Sequence, residues 1–120
     1  MPRYVDGFVI PIKKSKLAAY RRMAVAGSKI WLSHGALAFM ECVGEDLKAP
    51  FSLSFPKLAK CKPGETVLFS FIVFKSRRDR DRVNAVVMKD PRMKPLTELK
   101  DMPFDCRRMA YGGFQVLVDA

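Results

Sequence analysis

His34 is the only histidine in this chain of 120 residues. That scarcity excludes a multi-histidine metal centre, and equally a pair of histidines sharing acid and base roles. Cysteine is nearly as rare: Cys42, Cys61 and Cys106 are too few and too irregularly spaced for a disulfide framework or a CxxC clamp. Reduced thiols in a cytoplasm are the simplest expectation. No apolar run nears the roughly 18 to 20 residues of a membrane span; the longest, Val67 to Phe74, is strand-sized and includes Ser70. Met1-Pro2-Arg3-Tyr4 runs straight into strand-like residues, without the charged-then-apolar order of a secretion signal. Walker, zinc and nucleotide-fold signatures are missing too, so a chain working without metal or cofactor is expected.

Acidic residues are the minority charge, 12 against 22 Lys and Arg, for a net +10. Such a balance invites a nucleic-acid partner. The excess is concentrated between Lys75 and Lys94, where eight basic residues face only Asp79, Asp81 and Asp90. With 49% hydrophobic residues, a chain of this length buries roughly two thirds of its unfolded surface around one core. A single domain over residues 1–120 is expected.

Tyr4 to Pro11 mixes aromatic and β-branched residues and predicts a central strand stopped by proline. Ser15 is a plausible cap for a helix from Lys16 to about Ser33, with Leu17, Tyr20, Ala24, Gly27 and Trp31 along one stripe and Gly35 as its stop. Ala36 to Val43 predicts a second strand. Between Leu47 and Thr66, the punctuation of Pro50, Pro56 and Pro63-Gly64 leaves room for an extended piece at Ser52 to Phe55 and a helical turn at Lys57 to Lys60. Glu65 to Lys75 is the clearest strand, apolar on both alternating sets, and so requires cover on both faces.

Ser76 then caps an arginine-rich helix, with Asp79 three residues on favouring the positive helix end. Val83, Val86 and Val87 form its predicted buried stripe. Asp90-Pro91 opens a further turn, another turn is expected around Thr97 to Met102, and a last strand runs from about Ala110 to Asp119. Strand, helix, strand, strand, helix, strand is the ferredoxin-like βαββαβ order, an α+β antiparallel sheet with both helices on one face. The uncovered face would be a large apolar patch, which soluble monomers rarely tolerate. A homodimer packed through the helix-free sheet faces is therefore expected.

Several blocks carry a resemblance: Tyr4-Val5-Asp6-Gly7-Phe8, Trp31 with His34-Gly35-Ala36, Glu41-Cys42-Val43-Gly44, Lys75-Ser76-Arg77 with Arg80-Asp81-Arg82-Val83-Asn84, Met88-Lys89-Asp90-Pro91-Arg92, Met102-Pro103-Phe104-Asp105, and Arg108-Met109 with Tyr111-Gly112-Gly113-Phe114. Together they resemble the YbaA-like family of uncharacterised bacterial proteins, within the dimeric α+β barrel superfamily. The resemblance implies that fold and a homodimer. The superfamily also holds cofactor-independent oxygenases, heme-degrading enzymes and isomerases with pockets between sheet and helices, an analogy of fold alone.

Candidate site residues follow from residue chemistry. His34, at a helix C-terminus, is either a capping residue or a proton donor and acceptor at a pocket mouth, with Trp31 one turn back as an apolar wall. Arg80 and Arg82 are anchors for an anion or members of a solvated face of ion pairs. Asn84 can face the sheet, where its amide needs partners. Asp105, Arg108 and Tyr111 are expected together at the start of the last strand, fixing a loop or orienting a small polar substrate, with Asp6 and Glu41 joining if their side chains point inward. Cys106 adjoins Arg107 but lacks a base and is not a nucleophile; Gly112-Gly113 signals a bulge or close backbone approach. A small polar or anionic ligand in a pocket between helices and sheet is the preferred function, with His34 and Tyr111 as the catalytic candidates. Nucleic-acid (RNA) binding through the basic helix is the alternative, weakened by aromatic residues committed to the core.

Overall fold

The computed structural model describes residues 1–120. Four strands, β1 (Tyr4–Lys13), β2 (Ala38–Val43), β3 (Glu65–Phe74) and β4 (Ala110–Gln115), form one antiparallel sheet in the order β2-β3-β1-β4. Helices α1 (Leu17–Ser33) and α3 (Arg77–Lys89) lie across one face. The short α2 (Phe55–Leu58) and α4 (Lys94–Thr97) punctuate the connections. This is the ferredoxin-like α+β arrangement expected from the element order. No helix is long and apolar enough to cross a membrane.

Register assigns each side chain to a face. Asp6, Phe8, Ile10 and Ile12 of β1 meet Leu68, Ser70, Ile72 and Phe74 of β3 beneath the helices, where Val83 and Val87 of α3 and Tyr20 and Ile30 of α1 are buried. The opposite face carries Val5, Val9 and Pro11, then Met40, Cys42, Val67, Phe69, Phe71, Val73 and Phe114, with charge confined to the terminal Lys13–Glu65 pair. Met40, Phe69 and Phe114 are exposed there. Phe55 of α2 reaches it, its ring 6.2 Å from that of Phe69, and Pro11 and Val67 are buried there.

Five local expectations are corrected. Pro11 does not stop β1: it pairs opposite Val67, beyond Ala110, where β4 no longer lines β1 and a missing N–H is tolerated. Ser15 does not cap α1, because Lys14–Lys16 turn into a 3-10 segment that feeds the helix directly. Val86 is exposed while Val83 and Val87 are buried, the result of helical rotation between neighbours. Residues Ser52 to Ser54 form no strand; Ser54 instead caps α2, accepting from the Lys57 N–H. Finally, β4 ends at Gln115, since Val116 makes one last bond to Arg3 and β1 begins at Tyr4.

The expected stops and close approaches are otherwise present. Gly35 has φ +114, a left-handed conformation suited to glycine, after His34 ends α1. Ser76 Oγ accepts from the Asp79 N–H at 3.1 Å. Gly113 pairs regularly with Asp6 rather than bulging, and a Cβ on it would come within 2.7 Å of the Tyr4 ring. The double glycine thus makes room for an aromatic side chain.

Candidate functional site

Asp6 is the most buried charged residue, 1% exposed, at the centre of the sheet's helix face. Its two oxygens are claimed separately: Arg80 donates to one at 2.7 Å and the Asn84 amide to the other at 3.1 Å. The Asn84 oxygen in turn accepts from the Trp31 indole N–H at 3.0 Å. Arg80 also donates to Tyr111 at 3.1 Å and to Asp81 at 2.7 Å, and its guanidinium lies 4.8 Å from the Tyr4 ring centre. Burial works against the Arg80 charge, but the Asp81 hydrogen bond and the Asp6 charge outweigh it and raise its pKa. Burial, followed by the Asp6 charge, pushes the Tyr111 phenol up.

Trp31, Asn84, Arg80 and Tyr111 are thus brought together around Asp6, although they come from α1, α3 and β4. Arg80 commits Nε and Nη1 to these bonds and keeps Nη2 without a protein partner. The other candidates go elsewhere. His34 Nε2 lies 2.7 Å from Asp90 Oδ2, and Arg92 binds the same carboxylate and Ser33 Oγ, joining the ends of α1 and α3. Arg92, then His34, hold the Asp90 carboxyl well below the usual range. Arg82 pairs with Asp79 and donates to the His34 carbonyl.

Asp105, Arg108 and Tyr111 do not form one cluster. Asp105 caps its own turn and pairs with Arg107. Arg108 crosses to Glu65, donating from two nitrogens at 2.7 Å each, and also reaches the Lys60 carbonyl. These bonds hold Glu65 down, from 4.5 to about 2. The contribution to stability is therefore complete above pH 4.5 and fades as the pH falls toward 2. In urea unfolding, the deficit of Glu65→Gln against the unaltered protein is expected to shrink across that acid range; a deficit independent of pH contradicts it.

The cavity lies in a different place, between α1 and the edge strand β2. It has a volume of ≈ 410 Å³ and is lined by Leu17, Ala24, Val25, Phe39, Val43 and Leu68, with Tyr20, Arg21, Ser28 and Glu41 supplying polar groups. Helical spacing sets Tyr20 and Ala24 on the inner row and Leu17, Arg21, Val25 and Ser28 on the outer one. Glu41 stands opposite Ser70 in the β2–β3 ladder. Ser70 Oγ donates to it at 2.9 Å, and Tyr20 Oη lies 2.9 and 2.7 Å from its two oxygens.

The Glu41 residue is exposed along the sheet edge, yet its carboxylate is turned under Tyr20. Burial raises its pKa, while the bonds from Tyr20 and Ser70 pull the other way. Burial and the neighbouring carboxylate push Tyr20 strongly upward, so its phenol remains a donor. An edge-to-face contact with Phe104, ring centres 5.5 Å apart, supports Tyr20 from behind. Of the residues singled out from the sequence, only Glu41 lines this cavity. The missed signal was a pair of interruptions, Ser70 and Glu41, in two otherwise apolar strands.

No group of three His, Cys, Asp or Glu side chains forms a metal donor set. In the basic block, Arg80, Arg82 and Arg92 are engaged by Asp6, Asp79 and Asp90. A second, open depression of ≈ 760 Å³ mixes Lys14, Lys48 and Lys57 with Glu45 and Glu65. It is not a surface of one sign.

A model of a family described as a protein of unknown function (DUF1428) matches residues 3–106. The chain belongs to the DUF1428 family. Within reach of DUF1428, the uncharacterized protein YbaA of Escherichia coli K12 is 40% identical over 117 residues, covering 98% of each chain. The fold is shared with SnoaB, a cofactor-independent oxygenase from Streptomyces nogalater, at TM-score 0.64 and 10% identity, over 99% of this chain and 97% of that one. A dimeric ferredoxin-like protein from an uncultured marine organism superposes with TM-score 0.58 at 13% identity, over 100% of both chains. At these identities the structural likeness is one of fold.

Proposed function

We propose that this DUF1428 protein is a homodimer, packed through its helix-free sheet faces, with one small-molecule groove per subunit in which Glu41 is the proton acceptor. The observation that carries the reading is a carboxylate with a raised pKa, held by Tyr20 and Ser70 on the floor of an apolar-lined cavity. Such a group is suited to accept a proton from an acidic O–H or C–H of a bound molecule, with Tyr20 and Ser70 holding the carboxylate in line. The chemistry requires neither metal nor cofactor. SnoaB, described as a cofactor-independent oxygenase, is an instance of this type of frame working without a cofactor. The marine ferredoxin-like protein, described as dimeric, supports the assembly, as do the exposed apolar side chains Met40, Phe69 and Phe114 of that face.

In this reading the Asp6 network fixes α3 on the sheet, and His34 links helix ends rather than serving the groove. Three free cysteines suit a reducing, cytoplasmic setting. A carboxyl-carbon NMR titration tests the central point. Glu41 is expected to titrate above an ordinary glutamate, and Tyr20→Phe, by removing a donor to the ionised form, to move it higher still. An ordinary Glu41 titration that Tyr20→Phe leaves in place would remove the basis for the proposal.

A further inference from the structure

Arg21 distinguishes one rim of the groove. It lines the cavity and is exposed, and none of the ion pairs includes it. Arg3, Arg80, Arg82, Arg92, Arg107 and Arg108 are paired with carboxylates, and of the arginines that are not, Arg21 is the one lining the cavity. Its guanidinium is therefore free to form a two-pronged bond with a planar carboxylate. On the floor, Glu41 has the opposite need. Tyr20 and Ser70 donate to it, and an ionised carboxylate offers about four acceptor positions in all.

Apart from Tyr20 and Ser28, the rest of the wall is apolar. Phe39, Glu41 and Val43 project to the same side at alternate positions of β2, so the floor extends about 13 Å with Glu41 at its middle. Ala24, Val25 and Leu68 complete a sleeve around the middle. An anion placed beside Glu41 would be repelled, whereas one at the rim would be attracted. Charge thus orders the occupant: donor toward Glu41, anion toward Arg21.

We infer that the groove takes an amphipathic organic acid, with an apolar or aromatic body, a hydroxyl at one end meeting Glu41, and a carboxylate at the other meeting Arg21. The inference rests on the groove reading above and specifies its ligand class. Arg21 acts as a specificity residue: it selects the acid and has no part in proton acceptance.

Three probes, 4-hydroxyphenylacetate, 4-ethylphenol and phenylacetate, separate the two contacts when titrated into the intact protein and followed by backbone amide NMR and calorimetry. The hydroxy acid is expected to bind more tightly than either truncated probe and to shift resonances of Ala24, Phe39 and Val43. Arg21→Gln is expected to weaken the hydroxy acid about fivefold to tenfold and leave 4-ethylphenol unchanged. Glu41→Gln is expected to weaken both phenols and spare phenylacetate. If 4-ethylphenol binds in the groove as well as the acid does, or Arg21→Gln treats the two alike, the ligand class is wrong while the groove stands. If no probe shifts a groove residue, both inferences fall.

Discussion

Replacing Asp6 with alanine is expected to cost about 3–5 kcal/mol of unfolding free energy, the range for removing one partner of a buried ion pair. Asp6 is 1% exposed, and it is the only carboxylate that meets both Arg80 and Asn84. Its loss takes the buried carboxylate from a guanidinium with only 13% of its side chain exposed, leaving it the exposed Asp81 alone as counter-charge, and deprives the Asn84 amide of a partner. For a domain whose whole stability is of the order of 5–15 kcal/mol, that is a large share. Arg80→Ala is expected to be similarly damaging, since it strands the carboxylate instead. The double replacement should cost less than the two single costs combined, because neither charge is then left alone. Urea unfolding of the three variants measures this. A loss under about 1 kcal/mol for Asp6→Ala would show that solvent reaches the pair freely.

The second large effect concerns assembly. Phe69 is 47% exposed on the helix-free face, with Cys42 opposite it and Phe71 next to it on the same side. Phe69→Glu places a charge in the proposed interface, and two-fold symmetry would bring in one from each copy. Stranding unpaired charges there is expected to weaken dimerisation by about 2–5 kcal/mol, roughly a 30-fold to several-thousand-fold rise in dissociation constant. Sedimentation velocity at micromolar concentration should show a dimer for the unaltered chain and a monomer for the variant. A monomeric unaltered chain, or a variant that dimerises as well, refutes packing through this face. Because Phe69 is already half exposed in the single subunit, the folded monomer should survive the change.

The sheet was accessible from the chain itself because its signals are local. An apolar run on both alternating sets, Ser76 followed by Asp79, and Gly35 after His34 each carry their geometry within a few residues. Asn84 was also readable, since its place beside Val83 turns a polar amide toward the core. The groove was not. Whether Glu41 faces the helices depends on its pairing with Ser70, 29 residues away, and on Tyr20 arriving from another element. Pairing among charges was equally non-local: proximity in the chain linked Arg108 with Asp105, whereas folding brings it to Glu65, 43 residues away. His34 drew attention as the only imidazole, yet its partner Asp90 lies 56 residues on and away from the cavity.

The position of β1 has a consequence for how the molecule comes into being. The first strand in the chain is an inner one, and its neighbours are β3 and β4, the last two to be made. A nascent chain ending before Glu65 holds β1 without either partner, and Asp6 must wait 74 residues for Arg80. Early helix formation in α1 can proceed alone, but no hairpin can trap the N-terminal strand in advance. Contacts of such long reach slow the search for the native state. Folding of this chain is thus a late closure, in which the N-terminal strand finds its first partner only when β3 arrives.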